Sequence, residues 1–203
     1  MAAAMSAAMA VVFSVLLVLS PVLVEGNPGL DLLEAIKGHQ RLHRFHQALV
    51  TTGFSNGLNN AVNAKPTTIF APVDDAVDTA TATYSVSWDC LTQENAGKAA
   101  LKETLKHHVV EGAFHTLWNL TKTNQVIPAD GFPIEAMFDK ATHVVILDGY
   151  VHVVEPEAIV MENAIVHLID GVIVTESNYA QMVDVCGQAQ PSASPSLGFA
   201  SGL

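Results

Sequence analysis

Cysteine is nearly missing: the 203 residues hold two, Cys90 and Cys186. That excludes a disulfide-rich miniature scaffold, and neither cysteine stands in a C-x-x-C or other metal-ligand spacing. Charge is sparse at 14% of residues, and positive charge sparser still, with 9 Lys and Arg against 20 Asp and Glu. The formal net charge of -11 repels phosphate backbones, and no Lys/Arg cluster offsets it, which argues against a nucleic-acid partner. Few charges beside 50% hydrophobic residues also exclude global disorder. No repeat of domain size is present. The C-terminal end lacks the ~10 to 20 apolar residues that a glycolipid-anchor signal needs. At about 100 to 200 residues per domain, one domain is expected.

What is present begins with an apolar leader. Residues 1–26 carry no charge before Glu25, centre on Val11 to Leu19, and end in Val24-Glu25-Gly26 after Pro21. This reads as a signal peptide cleaved before Asn27. A signal anchor competes, because Ala7 to Val24 approaches the ~20 residues a spanning helix needs, but Pro21 interrupts it and no basic flank fixes an orientation. The expected product is secreted and extracellular, with no stable membrane insertion after cleavage. Export would put Cys90 and Cys186 in an oxidising compartment, so one disulfide is favoured over two separate thiols. The sequon Asn119-Leu120-Thr121 offers an N-glycosylation site and would lie on a solvated loop. Residues 177–203, with their Ser, Pro and Gly, read as a flexible tail.

Between these ends, Leu30, Leu33, Leu42, Phe45 and Leu49 recur at helical spacing, with Gly38 dividing two pieces and Gly53 at a helix end. Ser55 to Lys65 reads as a polar connection. Thr67 to Ala71 is a short strand stopped by Pro72, and Asp74 is placed to cap a helix starting at Asp75. Thr79 to Gly97 reads as an irregular insertion around Trp88 and Cys90, followed by helical spacing from Lys98 to His108. From Gly112 to Thr175 the character is that of strands. Helices first and strands after is the order of an α+β domain.

The strand region holds two Asp-Gly corners. His143 to Leu147 and Tyr150 to Val154 flank Asp148-Gly149, the signature of a two-residue hairpin turn. Pairing outward sets Leu147 opposite Tyr150 and Ile146 opposite Val151, so Val144, Ile146, Val151 and Val153 become the core face. Ala164 to Ile169, Asp170-Gly171 and Val172 to Val174 predict a second hairpin, apolar on nearly both faces and central in the sheet.

Three segments together resemble the fasciclin-type domain, also called the big-h3 domain, of secreted and cell-surface adhesion proteins. Thr68-Ile69-Phe70-Ala71-Pro72-Val73-Asp74-Asp75-Ala76-Val77 is similar to its first motif, Leu105 to Gly112 to its central tyrosine-histidine motif, and Asn163 to Ile173 to its second motif. One copy would run over about residues 28–176. Val73 stands for the usual Thr or Ser, Val77 for Phe, and His107 for Tyr. The resemblance implies a fasciclin-type β-sandwich or wedge of about seven strands with several packed helices. It further implies a cell-adhesion or matrix- and cell-wall-associated binding module that is not an enzyme and takes no cofactor. Phe70, Pro72, Asp74, His108, His167, Asp170 and Gly171 would be its structural motif residues. The expected partners are a matrix component, a cell-surface receptor or a polysaccharide, with weak self-association besides.

Candidate contacts follow. Family members engage integrins through short segments, and Glu155-Pro156-Glu157-Ala158-Ile159-Val160 resembles one, departing at Ala158; the plainer reading is a strand-edge turn stopped by Pro156. Binding candidates are therefore His108, Glu155, Pro156, Glu157 and Ile159. Tyr150 and His152 join them as a sugar-binding platform on the exposed hairpin face, the basis of an alternative reading as a polysaccharide-binding matrix component. The bland reading of His108 and His167 is a buried, satisfied imidazole. Another alternative, an extracellular serine or metal-dependent hydrolase, would need Gly53-Phe54-Ser55-Asn56-Gly57 to be a strand-turn-helix elbow. It could otherwise use His39, His43 and His46, at i, i+4 and i+7, as an ion site. Neither has the right surroundings, and no metal is expected. Protonation of His143, His152 or the His39 to His46 group below about pH 6 would cut the net negative charge and favour self-association or anionic-polysaccharide binding.

Overall fold

The computed structural model describes residues 31–188; the expected signal peptide lies outside them, as does the tail from residue 189. The elements, in order, are α1 (Leu32–Gly38), α2 (His43–Thr51), α3 (Phe54–Ala64), β1 (Thr67–Pro72), α4 (Asp74–Thr83), α5 (Trp88–Gln93), α6 (Asn95–Lys106), β2 (Val109–Glu111), α7 (Leu117–Leu120), β3 (Gln125–Val126), β4 (Ile134–Asp139), β5 (Val144–Leu147), β6 (Val151–Val160), β7 (Ala164–Ile169) and α8 (Glu176–Cys186). The seven strands form one sheet in the order β2-β1-β7-β6-β5-β4-β3, an α+β arrangement. Only β1 and β7 run parallel; the other neighbours are antiparallel. Every residue of β1 and β7 is buried. The reason is that both faces of these strands are covered. Ile69, Ala71, Ala164, Val166 and Leu168 pack among the helices. Phe70 and Ile169 point into a second core with Val145, Leu147, Val151 and Val153.

Several local expectations change. Ser55 to Lys65, expected as a connection, falls in and just beyond α3, whose buried Leu58 packs in the helical core. Gly53 does end α2, at φ 66, in the left-handed region where glycine is unstrained. The expected insertion over residues 79–97 is mostly helix: α4 runs to Thr83, and Ser87 caps α5 by accepting the Cys90 N–H at 3.3 Å. Residues 177–186, assigned to the tail, belong to α8, whose Met182 and Cys186 are buried. Cys186 is bonded to Cys90, with Cα atoms 5.6 Å apart, so the single disulfide is present and ties α8 to α5.

The first hairpin also has a different register. Leu147 pairs with Val151 and Ile146 with His152, because Tyr150 is bulged out of the ladder and 51% exposed. Asp148 and Gly149 do form the corner, at φ 47 and 76. A one-residue slip moves every side chain to the other face. The observed register puts Val145, Leu147, Val151 and Val153 inside together and leaves Val144 and Ile146 half-buried, a better burial than strict two-residue pairing gives. The second expected hairpin does not form: β7 ends at Ile169, residues 172–174 are not a strand, and β7 instead sits between β1 and β6.

Candidate functional site

Pro156 interrupts β6 because it has no N–H to give to the ladder. On one side Glu155 pairs with Leu168; on the other Ile159 pairs with Val166. Pro156, Glu157 and Ala158 thus face one residue of β7, His167. The strand continues past the proline, contrary to the expected stop. Glu157 takes φ 54, a left-handed conformation that non-glycine residues rarely hold. The gap in the ladder is filled by a side chain: the Glu157 N–H donates to His167 Nδ1 at 3.0 Å. His167 Nε2–H donates in turn to the His115 carbonyl at 2.7 Å, and the ring stacks on Phe70. Both ring nitrogens are thereby used in the neutral tautomer. Burial pushes the His167 imidazole below its ordinary value.

The bulge is tied down at both ends. Glu157 Oε1 accepts the Leu117 N–H at 2.9 Å, at the start of α7. Glu155 meets Arg41 at 3.5 Å and His39 at 4.0 Å across the corner between α1 and α2, two exposed contacts that contribute little each. Pro156 and Glu157 are exposed, whereas Ile159 is 7% exposed and packs in the helical core. Ile159 therefore anchors the segment and is not available as a contact.

His108 is not a contact either. It is buried, donates from Nδ1 to the Thr104 carbonyl at 2.9 Å and accepts the Ile173 N–H on Nε2 at 3.1 Å. Burial lowers its pKa to about 4, so it is a neutral pin joining α6 to the segment after β7. Beside it lies an apolar cavity of about 50 Å³, walled by Phe45, Leu101, Leu105 and Met182 among others. Its neighbour His107, buried, meets the half-buried Asp130 at 2.8 Å. Asp74 is the first residue of α4 and does not cap that helix. Its carboxylate accepts the Arg44 N–H at 2.7 Å and meets His43 at 3.0 Å, so it caps α2 from outside. Burial works to raise the Asp74 pKa, but those bonds outweigh it and hold the carboxyl below its ordinary value.

At the other end of β6, Asp170 binds His152 twice, accepting its N–H at 2.7 Å and meeting Nδ1 at 2.8 Å. Gly171 is needed where it stands, since a β-carbon there would lie 2.8 Å from Val151 Cγ2. Tyr150 and His152 are neighbours at the hairpin tip, on the far side of β6 from the bulge. Asn119 is exposed on α7, not on a loop, and its Nδ2 donates to the Phe114 carbonyl at 3.0 Å. Ser55 sits in the first turn of α3 with a helix before it, so the hydrolase elbow is not formed. The break from Gly38 to Leu42 splits the histidine trio: His39 meets Glu155 and His43 meets Asp74. Among the described residues no three His, Cys, Asp or Glu side chains gather as an ion site.

The motif-bearing strands β2, β1 and β7 lie side by side. A family model for the fasciclin domain matches residues 40–175. The chain belongs to the fasciclin domain family. Its fasciclin fold is also similar to a solved FAS1 domain pair from the insect cell adhesion molecule Fasciclin I, with a TM-score of 0.58 at 17% identity. The match covers 73% of this chain and 52% of that one, so the chain spans about half of the solved pair. No curated protein matches it in sequence. Within the fasciclin domain, the Glu157–His167–His115 and Glu157–Leu117 links were not read from the sequence. Two signals point to them: a proline inside an apolar strand pattern, and one histidine inside the otherwise apolar run Ala164 to Ile169.

Proposed function

We propose that this fasciclin domain is an extracellular adhesion module, exported by cleavage after Gly26, whose contact surface is the Glu155-Pro156-Glu157 bulge. The observation that carries the reading is the bulge itself. It is an acidic, proline-containing segment in which Glu155 stays paired with Leu168 while Pro156 and Glu157 are pushed out of the ladder, and it is fixed by His167, Leu117, Arg41 and the buried Ile159. A segment ordered before binding loses little conformational freedom on contact, which favours recognition. The similar solved domains come from a cell adhesion molecule, which supports the reading. A matrix or cell-wall component or a cell-surface receptor is the partner class, and Asn119 carries an N-glycan in the secreted form.

A second reading has its own support. Tyr150 is 51% exposed beside His152 at the hairpin tip, an arrangement suited to stacking on a sugar ring. Export is tested by expressing the chain in secreting cells: the medium should hold protein beginning at Asn27 that loses mass on deglycosylation. Cells plated on surfaces coated with that protein should attach, and intracellular retention or attachment no better than to an inert coating would defeat the proposal.

A further inference from the structure

Glu157 holds a left-handed backbone, φ 54, that a non-glycine residue keeps only where its surroundings over-determine it. Two hydrogen bonds do so: its N–H to His167 Nδ1 and its carboxylate to the Leu117 N–H. The first depends on a lone pair that a proton would remove. We propose that the β6 bulge is a proton-released clasp, in which protonation of His167 frees Glu157 from its bonds to the ring and to the Leu117 N–H at the start of α7.

The geometry allows one closed state. With hydrogen on Nε2, His167 donates to His115 and accepts from Glu157, so a single ring holds both the bulge and the segment before α7 to the inner strand β7. That segment is fastened again one strand over, where the His115 N–H donates to Thr68 Oγ1 at 2.8 Å and the hydroxyl donates to the Ala113 carbonyl at 2.9 Å. A second proton, on Nδ1, sets N–H against N–H. The Glu157 amide must leave, and its carboxylate, the acid nearest the ring, becomes the natural acceptor for Nδ1–H. Taking that role draws it from Leu117, and α7, one turn long, keeps only its Thr116 cap.

The charged groups around His167 are few. Glu157 faces it from β6 and favours protonation, His115 faces it from the segment before α7 and opposes it, and β1 presents the neutral Phe70 and Thr68. Full burial of the ring is the largest influence and opposes the charge, so the clasp is shut at neutral pH and yields only in acid. The clasp rests on these bonds and stands whether or not the bulge is an adhesive surface; if it is, acid remodels that surface.

The test is amide hydrogen exchange, read as protection factors, with imidazole nitrogen spectra on the exported full chain between pH 7.5 and 5. Over this range His108, held neutral down to about 4, stays uncharged. The spectra should show His167 with hydrogen on Nε2 at neutral pH. As pH falls from the ordinary imidazole value toward the lower His167 midpoint, protection at Glu157 and Leu117 should drop by up to about tenfold per pH unit and level off below it. Amides of Ala164 to Ile169 should hold. His167→Gln supplies an acceptor and a donor without a titrating group and should flatten the response. Should that variant fail to fold, the wild-type data decide alone. Protection at Glu157 that is independent of pH, or that falls in step with β7, overturns the clasp, as does hydrogen on Nδ1 at neutral pH. Loss of adhesion in the bulge variants bears on the function and leaves the clasp untouched.

Discussion

His108 and Asp74 were both legible in the sequence as motif residues, and each acts through a partner that the sequence does not place beside it. Asp74 caps α2, thirty residues upstream, and His108 pins Ile173. Local spacing reports neighbours along the chain, so such contacts are invisible to it. His108 gives a pH prediction with a definite sign. Its folded pKa, about 4, lies below the ordinary imidazole value of 6.5, so the unfolded chain binds a proton that the folded one refuses. Its contribution is complete above pH 6.5, falls as pH drops toward 4, and is then spent. At about 1.4 kcal/mol per pH unit, roughly 3 kcal/mol should be lost over that window. Urea unfolding at pH 7, 5.5 and 4.5 measures it, and His108→Gln should make the slope shallower; an unchanged slope would contradict the assignment.

At the scale of elements, the strongly patterned segments were read correctly. The strand of the first motif is β1, the helical spacing after Lys98 is part of α6, and the run Ala164 to Ile169 is an inner strand. What escaped has physical causes. The α3 helix carries four asparagines and buries one side chain, Leu58, so its apolar period is too thin to see. The hairpin corner was right and its register wrong, because burial of Leu147 and Val151 on one face outweighed the strict turn and expelled Tyr150. The α5 helix sits against α6 so closely that a β-carbon on Gly97 would collide with the Cys90 carbonyl and stand 2.9 Å from Cys186 Sγ. Gly97→Ala should therefore cost about 1 to 3 kcal/mol, or more if the helices cannot part. Denaturant midpoints of the two proteins check this, and equal midpoints would show that the α5–α6 contact is looser than described.

For the whole molecule, one covalent tie joins α5 to the closing helix α8 across a sequence separation of 96. Both elements lie against the helical core, so the tie holds the end of the domain to its middle. Constraint of the unfolded chain by a loop of this size is worth about 4 to 5 kcal/mol in the chain-entropy account. Reduction should lower the unfolding free energy by that order, and a midpoint unmoved by reductant would contradict it. β6 carries two exposed features, the bulge within the strand and the hairpin tip just before its start, and the proposed adhesive contact is the first. The direct test is retention on native extracellular matrix of three exported proteins: wild type, the Glu155→Ala/Pro156→Ala double variant, and Tyr150→Ala. Binding lost in the double variant and kept in Tyr150→Ala is the predicted result; binding kept in the double variant and lost with Tyr150 would move the contact surface to the hairpin tip and contradict the account.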